Sequence, residues 1–500
     1  MHMKVLTENT KKEGCMMDTL NESKIKRDDR PIKVIQYGEG NFLRGFVDYM
    51  LDIANKKGVF NGGIVLIKPI EFGNLDFFKQ QDCLYTVSLR GLENGVEQVT
   101  NHVVTSVRDV VDAYKEYTRY ADLAKEEELR FVVSNTTEAG IVYDDKDTYD
   151  MCPPRSYPGK LTKLLHERYL HFSADRNKGL IILPVELIDD NGIHLKEIVL
   201  KLSKKWNLEA DFIDWLNEAC VFCSTLVDRI VTGFPKDEAE KLWQEFGYVD
   251  NLIVTGEPFA LWVIESDKEI EHELALTKAG LPVIFTDNQK PYKQRKVRIL
   301  NGAHTSFALA SYLAGNDFVK ESMEDEDIRS FMTKTIYDEI IPTLNLPKED
   351  LLSFADKVND RFQNPFIKHA LLSISLNSVS KWKARCLPSL LDYYNEFNKL
   401  PNRLTFSLAA LIAFYHGKEL RNGALVGQRD GKEYLIMDDK DVLEFFLEHS
   451  GEEELPLVTK FLSNSWWNQD LNNIPGLTDA VASYLTQIRK SGIREVIRKL

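Results

Sequence analysis

A short apolar run, a glycine-rich turn, an amphipathic stretch and a second apolar run follow one another within residues 31–69, and few folds accommodate that order. Ile32-Lys33-Val34-Ile35-Gln36-Tyr37 reads as a buried strand. Gly38, Gly40 and Gly45 then give a G-x-G-x4-G turn, and apolar residues at helical spacing (Phe46, Val47, Met50, Leu51, Ile53, Ala54) predict a helix over 46–56. The run 63–69 closes a βαβ unit. Glycines in such a turn let backbone N–H groups approach a pyrophosphate at a helix N-terminus, although the third glycine is spaced unusually widely. An ordinary strand-to-helix turn is the alternative reading.

Further strand-like runs at 85–89, 130–133, 180–185 and 283–285, with helical patterns between several of them, predict a doubly wound, Rossmann-type parallel sheet. Beyond residue 289 strand signals nearly vanish, and helices are expected at 296–313, 328–344, 351–358, 364–376, 380–399, 404–416 and 443–448. The expected organisation is therefore a disordered lead-in over 1–30, an α/β dinucleotide-binding domain over 31–288 and a mostly α-helical substrate domain over 289–500.

The net charge of −14, from 63 Lys plus Arg against 77 Asp plus Glu, is spread along the chain and argues against nucleic acid or an anionic membrane as partner. No apolar run reaches the length of a membrane span, and a cytoplasmic location is expected. Six scattered cysteines suit reduced thiols. Cys220 and Cys223 form a lone CxxC that reads as core packing rather than a zinc site, and no metal is expected.

Several stretches carry chemistry-bearing residues. On a regular helix, at about 100° per residue, Lys296, Asn301 and His304 fall at about 0°, 140° and 80°, within one arc that could face a cleft or water. Ser134-Asn135-Thr136-Thr137-Glu138 follows a strand at the sheet edge where open α/β folds bind ligands. There Glu138 fits either a proton relay or a cap. Asn191, in an Asn-Gly after the strand 180–185, is either a turn residue or an amide donor to a substrate oxygen. The adjacent Asp228-Arg229 reads as a structural ion pair or as part of a polar site. Lys68-Pro69, with Glu71 beyond, ends the second strand and leaves the cofactor's 2′-position open, since Lys68 could tolerate a phosphate.

Four separated stretches resemble the polyol-specific long-chain dehydrogenases typified by mannitol dehydrogenase: Gly38-x-Gly40-Asn41-Phe42-Leu43-Arg44, Thr137-Glu138-x-Gly140, Val227-Asp228-Arg229-Ile230 and Lys296-x4-Asn301-x2-His304. The resemblance implies NAD-dependent, reversible hydride transfer at a sugar carbinol, and the wording within these stretches is closest to members acting on hexuronates. It implies that Gly38, Gly40, Asn41, Phe42, Leu43, Arg44, Lys68, Asn135 and Thr136 surround the cofactor. Lys296 would be the acid/base, Asn191 and Asn301 the oxyanion donors, His304 the group orienting substrate hydroxyls, Asp228 the holder of the polar network and Glu138 the link to solvent. Mannitol-type members carry an arginine eight residues before a lysine; here Lys381 is preceded by Ser373. A remodelled contact is thus expected, with Lys381, Arg361 or His369 either receiving a uronate carboxylate or forming salt bridges. The expected partner is a small sugar acid, and the chain is expected to be a monomer or a dimer.

Overall fold

The computed structural model describes residues 17–500 apart from 28, 137–139 and 267. By its internal contacts the chain divides into two compact units, one of residues 17–89 and 99–287 and the other of residues 90–98 and 288–500.

The first unit is built on six strands: β1 (Ile32–Tyr37), β2 (Gly63–Lys68), β3 (Val107–Asp112), β4 (Phe131–Ser134), β5 (Ile181–Pro184) and β6 (Val221–Phe222). They lie in the order β3-β2-β1-β4-β5-β6, and every pair is parallel. This is the order of a dinucleotide-binding sheet, with its switch point between β1 and β4. Side chains alternate between two apolar cores. Val34, Leu66, Val133 and Leu183 face one, while Ile35, Ile67, Val132 and Ile182 face the other. Cys220 and Cys223 fall into opposite cores, so this CxxC is a packing feature.

Two predicted strands belong elsewhere. The run at 85–89 is the start of Tyr85–Glu93, in a separate four-stranded sheet with Val96–Val104, Val231–Gly233 and Val254–Gly256. The run at 283–285 lies in Val283–Thr286, beside Leu261–Glu265 and Ser224–Asp228 in a three-stranded sheet. An apolar run reports burial but not its partner strand, which is why both were assigned to the central sheet.

Leu20 and Arg27, within the stretch expected to be a disordered lead-in, are held in the fold. Residues 1–16 lie outside the described residues, but Leu20 is fully buried and its N–H donates to Val249 O. Arg27 donates to the carbonyls of Val107 and Arg108.

The second unit is mostly helical, with one departure. Gly417–Arg421, Ala424–Arg429 and Lys432–Ile436 form an antiparallel meander where strand signals were expected to vanish. Its two turns, Asn422-Gly423 and Asp430-Gly431, have positive φ at both residues, the requirement of tight hairpins. The helix expected over 380–399 is two helices, Ser378–Arg385 and Leu387–Phe397, because Pro388 enters the first turn of the second. Of the expected 364–376 helix only Leu371–Ile374 forms.

Among the described residues no helix is long and apolar enough to cross a membrane.

A buried carboxyl sets a pH dependence in the first unit. Asp48 is fully buried, and its Oδ2 accepts the Tyr85 hydroxyl at 2.7 Å. Its Oδ1 and the Oε1 of Gln36 are both buried without partners. Burial pushes the Asp48 pKa up to about 7. The folded chain therefore binds this proton more tightly than the unfolded chain. The stability lost to ionisation grows as pH rises from about 4 towards 7, then levels off. Asp48→Asn removes the ionisation, so its stability advantage over the parent should grow by about 2 kcal/mol between pH 5 and pH 8. Urea unfolding at the two pH values measures this, and a pH-independent difference would refute it.

Candidate active site

In the first unit the predicted cofactor residues meet at the switch point. Gly38 has φ +119°, and a Cβ there would lie 3.1 Å from Asn135 O, so only glycine lets β1 and the chain after β4 come this close. Gly40 has open space where a side chain would be, and the helix starting at Asn41 has no side-chain cap. Its first N–H groups are thereby left for an anion. The helix then widens into a π-turn, Arg44–Asp48, before continuing as Tyr49–Lys56. Gly45 sits in that wide turn. A Cβ there would meet Val254 at 3.0 Å and Val231 at 3.2 Å, so the unusually distant third glycine serves close packing of helix on strand. Phe42 stacks on Phe46, and Leu43 is buried. Thr136 donates through its N–H and hydroxyl to Glu186, whose pKa burial raises and which also accepts from Ser134. Glu138 lies outside the described residues.

Three residues expected to contact ligands, and Arg229 beside Asp228, are committed to the protein itself. The buried Arg44 guanidinium donates to Glu39 O, Leu252 O and Asn41 Oδ1 and packs over Phe78 and Tyr85. Lys68 is fully buried. Its Nζ donates to the carbonyls of Ile70, Glu71 and Phe72 and lies 3.1 Å from the Asp112 carboxylate, so it shapes the loop after β2 and has no charge to spare for a phosphate. Asn191 is fully buried too. Its Nδ2 donates to Pro184 O, Glu186 O and Thr225 O, and its Oδ1 accepts from the N–H groups of Thr225 and Gly192. Every polar position of that amide is used, which corrects its reading as an oxyanion donor. Arg229 is not spent on its neighbour Asp228: it donates to Gly45 O, Pro258 O and Phe259 O, tying two loops to the π-turn. Burial lowers its pKa to about 10. Asp228 is buried at the end of its strand, opposite Leu261.

In the second unit the stretch that carries Lys296, Asn301 and His304 is not a uniform helix. Lys290–Arg295 is α-helical, Lys296–Asn301 is a π-turn and Gly302–Leu313 is α-helical again. The Gly302 N–H reaches Val297 O, five residues back. A turn of that span holds more residues than an α-helical one, so the angle between Lys296 and Asn301 around the axis is smaller than the about 140° of a regular α-helix. Gly302 also admits a neighbour: a Cβ there would stand 3.2 Å from the carbonyl of Arg385.

His304 is packed against Phe362, with ring centroids 4.1 Å apart, and edge-on to His369 at 5.2 Å. Its Nε2 is buried with no hydrogen-bond partner. Burial, then the nearby His369, Arg361 and Arg385, hold its pKa well below the usual imidazole range, so the ring is neutral at pH 7. Burial and Lys381 lower His369 likewise. Lys381 donates to Ile374 O rather than to a carboxylate, and its pKa is lowered by burial and then by Arg385. His304, Arg361, His369, Lys381 and Arg385 thus form one basic cluster. The sequence reading brought the first four forward but passed over Arg385 and Thr305, which meet at 3.3 Å. The spacing of Arg385, one turn after Lys381, was the available signal.

Comparison with known proteins agrees with this architecture. Residues 32–278 match the mannitol dehydrogenase Rossmann domain and residues 288–489 the mannitol dehydrogenase C-terminal domain. The chain is 46% identical over 489 residues to an altronate oxidoreductase of Yersinia enterocolitica, covering 96% of this chain and 99% of that one. It is 46% identical over 493 residues to an altronate oxidoreductase of Escherichia coli O7:K1, covering 97% and 100%. Among solved structures, a D-sorbitol dehydrogenase in substrate-free form superposes with a TM-score of 0.78 at 20% identity, covering 96% of this chain and 100% of that one. A Pseudomonas fluorescens mannitol 2-dehydrogenase, in ternary complex with NAD and D-mannitol, superposes with a TM-score of 0.65 at 21% identity, covering 94% of each. The two structures share the fold, and the sequence matches span both units: the chain belongs to the mannitol dehydrogenase family.

Proposed function

We propose that the protein is an NAD-dependent reductase of a keto-hexuronate, converting D-tagaturonate to D-altronate and back. The observation that carries the sugar-acid reading is the basic cluster around His304. Five nitrogen-bearing side chains crowd a part-buried site in a chain whose net charge is −14, and such a cluster suits an anionic ligand better than a neutral polyol. The altronate oxidoreductases that match along nearly the whole chain support the same substrate class.

The first unit fits a dinucleotide. Gly38, the open Gly40 and the uncapped N–H groups from Asn41 onward would hold the pyrophosphate, with Phe42, Asn135 and Thr136 beside it. Lys68, saturated by three carbonyls and Asp112, offers nothing to a 2′-phosphate, and this favours NAD over NADP. When bound, the nicotinamide supplies or accepts the hydride.

The remaining chemistry falls to the second unit. Lys296 gives a proton to the oxygen of the keto group as it becomes an alkoxide, and takes it back in the reverse direction. Asn301, turned closer to the Lys296 side of the helix by the π-turn, donates a hydrogen bond to the same oxygen. His304, neutral and with Nε2 unoccupied, makes one hydrogen bond to a substrate hydroxyl in either tautomer. Arg361, His369 and Lys381 surround the rest of the sugar acid. Asn191 has no part in this scheme beyond holding its loops.

Lys296→Ala should lower kcat by about 10³-fold while leaving NADH binding, followed by fluorescence, nearly unchanged. Retained turnover would remove Lys296 from the acid/base role. Asn301→Ala should lower kcat about 100-fold with a much smaller change in KM, and a change confined to KM would mean ground-state binding only.

Substrate and cofactor are settled by one spectrophotometric panel of D-tagaturonate, D-fructuronate, fructose and xylulose with both nicotinamides. Tagaturonate with NADH is expected to be fastest, by at least about tenfold over NADPH. A faster fructuronate would make the enzyme a mannonate-forming reductase, and preference for a neutral ketose would refute the sugar-acid reading.

A further inference from the structure

We infer that Arg385 is the residue by which this enzyme selects acids over neutral sugars: its guanidinium receives the substrate carboxylate. The inference rests on the keto-hexuronate reading above and names the group that enforces it.

The first ground is an imbalance of charge. Elsewhere in the same unit arginines meet carboxylates: Arg298 pairs with Asp392 at 2.6 Å, Arg429 with Asp317 at 2.7 Å, Arg494 with Asp325 at 2.7 Å, and Arg403 with Asp338 at 3.3 Å. Arg385 is half-buried, yet among the described residues it meets no carboxylate, and its guanidinium makes one hydrogen bond there, Nη1 to the Thr305 Oγ1 at 3.3 Å. Lys381 lies one turn earlier on the same helix; its Nζ donates to Ile374 O, and although the Asp438 carboxylate acts on it, burial and Arg385 still lower its pKa. A cation drawn partly out of water beside another cation is unfavourable by itself. Such an arrangement is stable in use when the counter-charge arrives with a ligand.

The second ground is placement. Pro388 ends the helix Ser378–Arg385 where it does. Gly302 admits the Arg385 carbonyl to within 3.2 Å of where a Cβ would be, and the Cys386 thiol reaches Gly302 O at 3.5 Å. The backbone that carries Arg385 is therefore fixed against the first turn of Gly302–Leu313. Thr305, its side-chain contact, follows His304 directly and donates to Asn301 O at 2.9 Å. The guanidinium accordingly stands over the turn that bears Asn301 and His304. A guanidinium presents two parallel N–H groups to a carboxylate, a match that an ammonium such as Lys381 lacks.

The test compares Arg385→Gln and Arg385→Lys with the parent enzyme, using D-tagaturonate and the neutral D-tagatose as substrates at saturating NADH. Arg385→Gln should raise KM for tagaturonate about 30-fold or more with little change in kcat, while its kcat/KM for tagatose stays level or rises. Arg385→Lys should recover part of the loss, because it keeps the charge but not the fork. An unchanged NADH dissociation constant and melting temperature show that each variant is folded. If the parent reduces tagaturonate and Arg385→Gln keeps its KM within about threefold, or if both substrates lose equally, Arg385 does not select the carboxylate. If the parent reduces no keto-hexuronate, the reading of the substrate itself fails, and the role of Arg385 with it.

Discussion

The second unit depends on how the backbone carries one extra residue through a turn at Lys296–Asn301. A regular α-helix would spread Lys296 and Asn301 over more than a third of its circumference. The π-turn narrows that spread at the expense of looser backbone hydrogen bonding. Gly302 closes the turn and, having no side chain, lets the end of the helix Ser378–Arg385 settle against it. One local irregularity thus narrows the angle between two side chains and docks the segment that carries two more, Lys381 and Arg385.

The first unit uses a similar device for a different end. Its π-turn, Arg44–Asp48, is held by arginines that bind no acid: Arg44 bonds Leu252 O, and Arg229 bonds Gly45 O. Lys68 and Asn191 act in the same way on the loops after β2 and β5. Loops at the carboxyl end of a parallel sheet have no ladder to satisfy their carbonyls, so buried donors do it for them. The result is a rigid rim around the glycine turn, with its open N–H groups as the unfilled part.

This distinction between fasteners and ligand contacts explains what the sequence conveyed and what it did not. The βαβ unit was legible because its apolar periodicity and glycines are local properties, and the helical half because its apolar faces repeat. The strands at Tyr85–Glu93 and Val283–Thr286 were legible as strands but not as members of other sheets, since pairing is decided by residues far away in the chain. The meander at 417–436 had a usable signal in Asn422-Gly423 and Asp430-Gly431, which went unread because the surrounding pattern was helical. At the site, residue type marked Lys296 and Asn301, but Lys68 and Asn191 carry the same ammonium and amide and spend them on backbone carbonyls. Nothing local to a buried amide says whether its partners are carbonyls or a substrate.

Arg385 illustrates the converse. Its neighbours in the chain give it the look of a surface helix residue, and what distinguishes it is that among the described residues no carboxylate pairs with it. For a neutral sugar to bind there, hydroxyls would have to replace the water lost by Arg385 and Lys381, a poor exchange for groups that are most stable beside an anion. Under the proposed function a sugar acid brings that charge, so the pair Arg385 and Lys381 would favour the charged sugar over its uncharged analogue. Discrimination of this kind needs no steric barrier. It follows from leaving the counter-charge out of the protein and requiring the substrate to carry it.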